Sequence, residues 1–244
     1  MDGIYIYLGQ EGDLMVTLKN GVKGLSKLIK GDIPQSSIVL VTGAPGTLKS
    51  GFVYAILQNY LSKTGKYGLY ITLEQSRESL LINMKSLGIG GDRGIEVVDF
   101  SDIREKFREV EKRINMLKLI NGLLDFFENK EKKKITCFAL DSLSALLPLL
   151  GEVDLRSEIF HLFQILRKRC ETSFILCETP SVQHLPEYTP EYFLGDGIIE
   201  LGITRIGKRY GRYIQILKMR GTPHKIDRYE IRVGSSGIEI LNPI

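Results

Sequence analysis

Residues 37–51, SIVLVTGAPGTLKSG, decide the fold of this 244-residue chain. A short apolar run typical of a buried strand ends at Gly43, and helix-forming residues follow the last serine. Between them, Gly43, Gly46 and Lys49 keep the spacing of a phosphate-binding loop. The glycine expected just before the lysine is replaced by Leu48. The strand–loop–helix context therefore predicts a phosphate loop with one altered position.

The chemistry of such a loop gives each retained residue a role. Backbone N–H groups of a glycine-rich turn, at a helix N-terminus, converge on phosphate oxygens. Lys49 reaches the terminal phosphates, and the hydroxyl of Ser50 ligates Mg²⁺. Leu48 is accommodated where the backbone is right-handed, and it is strained where the position requires φ > 0. The sequence leaves both conformations open.

Two acidic residues at strand ends are the predicted partners of the loop. Asp141 ends the apolar run CFALD, where parallel sheets present ligand-facing residues, and can hold Mg²⁺ through water. Glu74 ends the run YGLYITLE and can orient the attacking water or accept its proton. The alternatives are a turn cap for Asp141 and a solvated strand end for Glu74.

Strand-like runs alternate with amphipathic helical stretches along most of the chain. Strands are predicted at 37–43, 67–74, 95–100, 134–142 and 173–179, and helices at 49–62, 78–87, 103–130 and 155–170. This alternation indicates a mainly parallel, doubly wound α/β sheet. From residue 196, four strand-like runs predict antiparallel C-terminal strands on the same sheet. We expect one domain over residues 1–244, with a short N-terminal strand extension over 1–20.

The composition is that of a globular protein in water, with 43% hydrophobic and 25% charged residues. No apolar run approaches the roughly 18 residues of a membrane span, so no membrane contact is expected. The N-terminus has no basic region followed by an apolar block, which favours the cytoplasm. The three cysteines lack metal-binding spacing and are expected to be buried, reduced thiols.

Four further segments carry motifs in a fixed order: GVKGLSKLIKGDIPQSSIVLVTGAPGT, YITLEQSRESLLINMKSLGI, LDSLSALL and ILKMRGTPH. These segments resemble the KaiC-like branch of the RecA/RadA P-loop ATPases. The resemblance covers roughly residues 21–242, nearly the whole chain. Several independent motifs in the right order are far more specific than the phosphate loop alone.

The resemblance implies a RecA-like P-loop NTPase fold that binds ATP and Mg²⁺ and assembles as a homo-oligomer, usually a hexameric ring with ATP between subunits. Lys218 and Arg220 match a K-x-R pair that the family presents to the γ-phosphate bound by the neighbouring subunit. The implied catalytic residues are Glu74, Lys49, Lys218 and Arg220, and the implied metal ligands are Ser50 and Asp141. The implied nucleotide-binding positions are Gly43, Ala44, Pro45, Gly46, Thr47, Leu48, Lys49, Ser50, Gly51, Ser86, Thr222 and His224.

The chain departs from the family pattern at four positions. Leu48 and Ser36 stand where the pattern has glycine, Ser26 stands where it has aspartate, and Gln75 replaces the second acidic residue of a Glu–Glu pair. Because Leu48 and Gln75 fall in the predicted active site, we expect ATP hydrolysis to be slow. The alternatives are a non-hydrolysing ATP-binding regulator or assembly scaffold and a RadB-like accessory protein that binds DNA.

Nucleic acid is the more weakly supported partner. The net charge of +4 permits it without arguing for it. The loop at 179–197 is acidic and contains no Lys or Arg, which argues against a surface that follows phosphates. The basic hairpin RIGKRYGR, residues 205–212, is a candidate contact, and a solvated hairpin tip is the alternative.

Overall fold

This computed structural model contains a nine-stranded sheet flanked by helices. The structure describes residues 17–91, 93–99, 116–150, 155–179, 190–234 and 237–244. The strands are β1 Ser37–Gly43, β2 Tyr67–Thr72, β3 Ile95–Asp99, β4 Ile135–Asp141, β5 Thr172–Glu178, β6 Gly197–Ile206, β7 Arg209–Met219, β8 Tyr229–Gly234 and β9 Gly237–Pro243. The helices are α1 Lys49–Thr64, α2 Arg77–Ser86, α3 Met116–Asn129, α4 Leu143–Leu150, α5 Leu155–Arg169 and α6 Pro190–Leu194. Two short 3-10 turns, Leu18–Asn20 and Leu25–Lys27, precede β1.

The strand order is β3-β2-β4-β5-β1-β6-β7-β8-β9. The pairs from β3 to β6 are parallel, and the pairs from β6 to β9 are antiparallel. This confirms the predicted parallel sheet with antiparallel C-terminal strands. Because β1, β2, β4 and β5 are parallel, their carboxyl ends meet at one edge of the sheet.

The parallel strands are apolar because helices cover both faces of the sheet. Every residue of β1 and of β4 is buried. Side chains of β1 alternate between two cores, since successive residues of a strand face opposite sides. Val39 and Val41 join the core that contains Phe52 of α1, whereas Leu40 joins the core that contains Phe163 of α5. The sheet is thereby held rigidly at the edge where its strands end.

The predicted elements agree with the observed ones in type, and differences concern mainly their ends. The helix predicted over 103–130 is observed from Met116, and residues 100–115 lie outside the described part of the chain. Helix α4 was not predicted, because its sequence LSALLPLL is apolar all round and has no helical period. The two N-terminal strand-like runs lie outside the described residues except at Thr17 and Leu18, where a 3-10 turn begins. A single domain over the whole chain stays a prediction.

The cysteines behave as expected. Cys137, Cys170 and Cys177 are buried thiols. Burial raises the pKa of the Cys137 and Cys170 thiols to about 12, so both stay protonated. Within the described ranges, no helix has the length and apolarity needed to cross a bilayer.

Candidate nucleotide site

The loop between β1 and α1 has the shape of an anion cradle. Gly46 has a φ of +79°, and a Cβ built there would meet no atom within 4 Å. A Cβ on Gly43 would lie 2.1 Å from the carbonyl oxygen of Leu201, so this position requires glycine. The Thr47 hydroxyl donates to the Ala44 carbonyl at 2.8 Å and closes the loop. The loop leads into the first turn of α1, where N–H groups lack helical partners.

Leu48 takes the left-handed backbone conformation, with φ +77° and ψ +20°. The right-handed alternative, which would have suited leucine, is not adopted. The side chain is half-buried and packs against the core on the α1 side of the sheet. A left-handed conformation costs an L-residue roughly 1–2 kcal/mol. Leucine therefore holds the loop in a backbone shape that suits glycine, at a cost in strain.

We expect Leu48→Gly to be more stable than Leu48→Ala by about 1 kcal/mol, because only alanine keeps the Cβ strain. In the interior of a right-handed helix the order is opposite, with alanine more stable than glycine by about 1 kcal/mol. Urea unfolding of both variants measures the difference, and Asn59→Gly and Asn59→Ala within α1 provide the reference order. A Leu48→Ala protein more stable than Leu48→Gly would contradict the left-handed assignment.

Lys49 begins α1 and points back into the loop. Its side chain is buried, and Nζ donates to the carbonyl oxygens of Gly43 at 2.9 Å and Ala44 at 3.1 Å. The same Nζ lies 3.9 Å from Oε1 of Glu178. Glu178 is the last residue of β5, just as Asp141 is the last residue of β4. Glu178 could have been predicted as a site residue from the sequence, because it ends an apolar strand as Asp141 does.

Asp141 is buried at the end of β4 and is bonded to a tyrosine. The Tyr70 hydroxyl donates to Oδ2 of Asp141 at 2.7 Å. Burial, followed by the charge of Asp141, raises the pKa of Tyr70 well above its usual range, so the phenol keeps the proton that it donates. Ser50 lies next to the same phenol, and its side-chain interaction opposes this rise. Tyr70 was not predicted as a site residue, because its polar tip stands within the apolar run of β2.

Glu74 follows β2 and lies beside the end of β4. The backbone N–H of Leu73 donates to the carbonyl of Asp141 at 2.7 Å, which ties the two strand ends together. The Ser142 hydroxyl donates to Oε1 of Glu74 at 3.3 Å. Partial desolvation raises the pKa of Glu74, and the nearby charges of Glu178 and Asp141 add to the rise. Glu74 is thus a carboxylate that faces solvent and takes up a proton more readily than an ordinary glutamate.

Lys218 and Arg220 lie at the amino end of the parallel strands. Arg220 Nη1 is 3.2 Å from Oδ1 of Asp196, whose Oδ2 accepts the backbone N–H of Ile38. Ile38 stands near the start of β1, whereas the phosphate loop follows its last residue, Gly43, roughly 16 Å away at about 3.3 Å per residue. The structure therefore does not bring this pair to the phosphate loop of its own chain.

The rest of the predicted K-x-R region surrounds the same amino end. Lys218 Nζ donates to the Gly195 carbonyl at 2.6 Å, and burial lowers the pKa of this lysine. The Thr222 hydroxyl donates to the carbonyl of Asp32 at 2.8 Å, and His224 Nδ1 is 3.0 Å from the carbonyl of Thr222. Each of these side chains is engaged with backbone carbonyls other than those of the phosphate loop.

Ser86 and Arg212 lie on two other elements, α2 and β7. Ser86 ends α2, where its hydroxyl donates to a helix carbonyl, and the next residue, Leu87, packs against Gly51 of α1. Arg212 Nε donates to the carbonyl of Gly46 at 3.1 Å. Arg212 closes the basic hairpin that was predicted as a nucleic-acid contact or a solvated tip. Its observed position instead adds a cation to the phosphate loop, which the sequence did not indicate.

Comparisons with known proteins agree with this geometry. A family model described as ATPase: KaiC matches residues 18–243. The chain belongs to the KaiC ATPase family. The crystal structure of a KaiC-like protein from the hyperthermophilic archaeon Pyrococcus horikoshii OT3 superposes with a TM-score of 0.73 at 27% identity and covers 91% of this chain and 97% of that one.

Relatives in the KaiC ATPase family differ in length. The UPF0273 protein of Thermotoga maritima is 27% identical over 243 residues, which cover 91% of the chain and 95% of that protein. The circadian clock oscillator protein KaiC of Parathermosynechococcus lividus is 27% identical over 230 residues, which cover 91% of the chain and 42% of that protein. The chain thus spans less than half the length of this clock relative.

Membership in the KaiC ATPase family confirms the predicted resemblance and the RecA-like fold, and it supports an ATP-binding P-loop ATPase. The residues present fit a magnesium nucleotide. The Ser50 hydroxyl and the Asp141 carboxylate are hard oxygen donors, and Mg²⁺ typically combines one or two carboxylates with substrate phosphates. Among the described residues, no group of three or more His, Cys, Asp or Glu is suited to hold a metal alone. A metal here would need the phosphates as additional ligands.

Proposed function

We propose that the chain is a Mg²⁺-dependent ATPase that turns over slowly within a homo-oligomeric ring. The observation that carries this proposal is the meeting of Lys49, Asp141 and Glu74 at one edge of the sheet, where β1, β4 and β2 end. A phosphate-binding lysine, a carboxylate for the metal and a carboxylate for the water are the parts that ATP hydrolysis uses.

Phosphate binding would use a lysine that is already inside the loop. Nζ of Lys49 exchanges the carbonyl oxygens of Gly43 and Ala44 for phosphate oxygens, which carry more negative charge. The N-terminus of α1 and the loop N–H groups complement the same charge. Arg212, bonded to the Gly46 carbonyl, supplies a second cation from the same chain.

Ser50 and Asp141 would hold the Mg²⁺ ion together with the phosphates. When bound, the ion neutralises charge that develops on the transferred phosphoryl group. Glu74 orients the attacking water and holds its proton at the carboxylate. The hydroxyl of Ser142, 3.3 Å from Oε1, keeps this carboxylate in place.

A ring would bring to each phosphate loop the two cations that a single chain holds far from its own loop. Lys218 and Arg220 are at the opposite end of β1 from the phosphate loop, so they serve a nucleotide bound by the neighbouring subunit. A head-to-tail interface, repeated until it closes, places one subunit's amino edge against the next subunit's loop. Cations that arrive in this way stabilise charge on the γ-phosphate during transfer.

Two substitutions support slow turnover. Gln75 occupies the position of a second acidic residue, and its Oε1 accepts a hydrogen bond from Asn83 of α2 at 3.2 Å. This side chain is therefore neutral and engaged with a helix. Leu48 strains the loop backbone that contacts phosphate.

The test of the proposal is binding and hydrolysis of ATP by the wild-type chain and by Lys49→Ala. We expect the wild type to bind Mg-ATP and release phosphate, and the variant to lose both, because its loop lacks the cation that faces the terminal phosphates. Calorimetry and phosphate-release assays measure the two steps. Lys63→Ala, an exposed lysine in the last turn of α1, is the control and should behave as the wild type. A wild type that binds no ATP would overturn the proposal.

A non-hydrolysing ATP-binding regulator is the second candidate, and the neutral Gln75 favours it. The two functions differ in one measurement, since the regulator binds Mg-ATP but releases no phosphate above the background rate without protein. The DNA-binding alternative gains no support from the described residues, because Arg212 of the basic hairpin is bonded to the phosphate loop.

A further inference from the structure

Tyr70 connects the two residues assigned to the metal. Its hydroxyl donates to Oδ2 of Asp141 at 2.7 Å, and the Ser50 side chain lies next to the same phenol. Tyr70 is completely buried in β2, and its ring is 5.7 Å from that of Tyr54 in α1. The phenol is therefore fixed by packing, with no freedom to turn towards solvent.

The bond to Asp141 is of a kind that orients a carboxylate. Asp141 is only 5% exposed, so each of its oxygens must find a partner inside the protein or at the site. Tyr70 supplies the partner of Oδ2. In the proposed site, the other carboxylate oxygen would face the metal and its water. Outer partners of this type fix the direction and basicity of metal ligands.

The register of the sheet explains why the tyrosine stands in β2. Thr72 is the residue paired with Asp141, and Tyr70 is paired with Ala139, two positions earlier on the neighbouring strand. Side chains two residues apart lie on the same face of a strand. The long side chain of Tyr70 spans this offset along that face, which a shorter polar residue could not do.

We propose that Tyr70 is a positioning residue of the magnesium site, which holds Asp141 by one oxygen and thereby sets the affinity for Mg²⁺. This inference rests on the proposed Mg²⁺-dependent ATPase function. It concerns the metal and not the nucleotide, because the phenol contacts Asp141 and Ser50 while the loop groups that face phosphate are held by other contacts.

The test is the variant Tyr70→Phe, which keeps the ring and removes the hydroxyl. We expect the Mg²⁺ concentration that half-saturates binding in the presence of ADP to rise by about 10–100-fold, the range found for outer partners of metal ligands. The affinity for ADP measured with a chelator and no metal should stay within about twofold of the wild type, because the loop is unchanged. Calorimetric titration with Mg²⁺ measures the first quantity without requiring hydrolysis.

Tyr60→Phe is the matched control. It removes a tyrosine hydroxyl that lies 3.3 Å from the Glu171 carboxylate, near the end of α1 distant from the loop. This variant should keep the Mg²⁺ dependence of the wild type. Circular dichroism and the thermal unfolding midpoint without ligand check that both variants are folded.

A double-mutant cycle gives a second measurement. If Tyr70 acts through Asp141, then Tyr70→Phe should have little further effect on Mg²⁺ affinity in a protein that already carries Asp141→Asn. An unchanged Mg²⁺ dependence in Tyr70→Phe would overturn the positioning role. An equal loss of ADP affinity with and without metal would also overturn it, because the role would then be general packing. A wild type that binds no nucleotide would instead remove the proposed function itself, and this inference with it.

Discussion

Glu74→Gln is expected to lower the rate of ATP hydrolysis by about 10²–10⁴-fold, the usual contribution of a positioned general base, while ATP still binds. Glutamine has the same shape and still accepts the hydrogen bond from Ser142, but it takes no proton from water. Single-turnover phosphate release at saturating Mg-ATP measures the rate, and calorimetry measures binding.

Glu78→Gln is the control for this prediction. Glu78 is an exposed acidic residue in the first turn of α2, close in sequence to Glu74. Its replacement should leave the rate unchanged. A Glu74→Gln protein as active as the wild type would move the role of base to another carboxylate, with Glu178 as the nearest candidate.

The pH dependence should follow the raised pKa of Glu74. The water-orienting carboxylate must be ionised, so kcat/KM falls as the pH drops through this pKa, at a higher pH than for an ordinary glutamate. Glu178 contributes to the rise by charge repulsion. Glu178→Gln should therefore shift the acidic limb to lower pH. Because ATP titrates equally with both proteins, the difference between their profiles isolates the enzyme group.

The same pKa has a consequence for stability. A carboxyl whose pKa is higher in the folded chain than in the unfolded chain destabilises the fold where it is ionised, above the folded pKa. This penalty disappears as the pH falls below the unfolded value. Glu74→Gln should thus raise the unfolding midpoint at neutral pH and have no such effect at acid pH, although the gain is small because Glu74 is exposed.

Arg220→Ala is expected to reduce ATP hydrolysis by about 10³–10⁵-fold, the contribution of arginines that stabilise the charge of a transferred phosphoryl group. If Arg220 acts on the nucleotide of a neighbouring subunit, two inactive variants should restore each other's activity when they are mixed. Arg220→Ala chains keep an intact phosphate loop, and Lys49→Ala chains keep an intact arginine. When the two are mixed, interfaces form in which both halves are intact, so activity returns.

The size of the recovery is set by chance pairing. In an equal mixture, about one quarter of head-to-tail interfaces combine an intact loop with an intact Arg220. Mixing Lys49→Ala with the double variant Lys49→Ala/Arg220→Ala should recover nothing, because no intact loop is present. Subunit exchange followed by fluorescence transfer verifies that the rings mix. Mixed rings without recovered activity would contradict action between subunits.

The sequence predicted the fold well because the sheet depends on local patterns. Buried strands such as β1 and β4 are continuous apolar runs, and the turns between the last strands carry glycine. The helix α4 escaped prediction because a helix that is apolar on all sides has no period to detect.

The site was only partly predictable. Lys49 and Asp141 could be identified because phosphate chemistry requires a lysine where the loop enters a helix, and metal chemistry favours a carboxylate at a strand end. Tyr70 and Arg212 contact residues that are distant in sequence, and no local pattern reveals such contacts. The backbone conformation of Leu48 could not be predicted for a different reason, since the type of a residue does not determine its φ.

Ser36 shares the backbone conformation of Leu48. Both stand where the family pattern has glycine, and both have positive φ, +59° and +77°. The fold requires the left-handed conformation at these two positions and imposes it on the residue that is present. A glycine in a family pattern thus predicts backbone conformation even in a member that lacks it.

The position of the phosphate loop and Arg220 at opposite ends of β1 gives the subunit a direction. A ring built from one repeated head-to-tail contact uses two different surfaces of each subunit, one at the loop and one at Arg220. In the proposed ring, each subunit would therefore receive cations from one neighbour and give its own to the other. Changes at the two ends of β1 would then act on different interfaces of the same subunit.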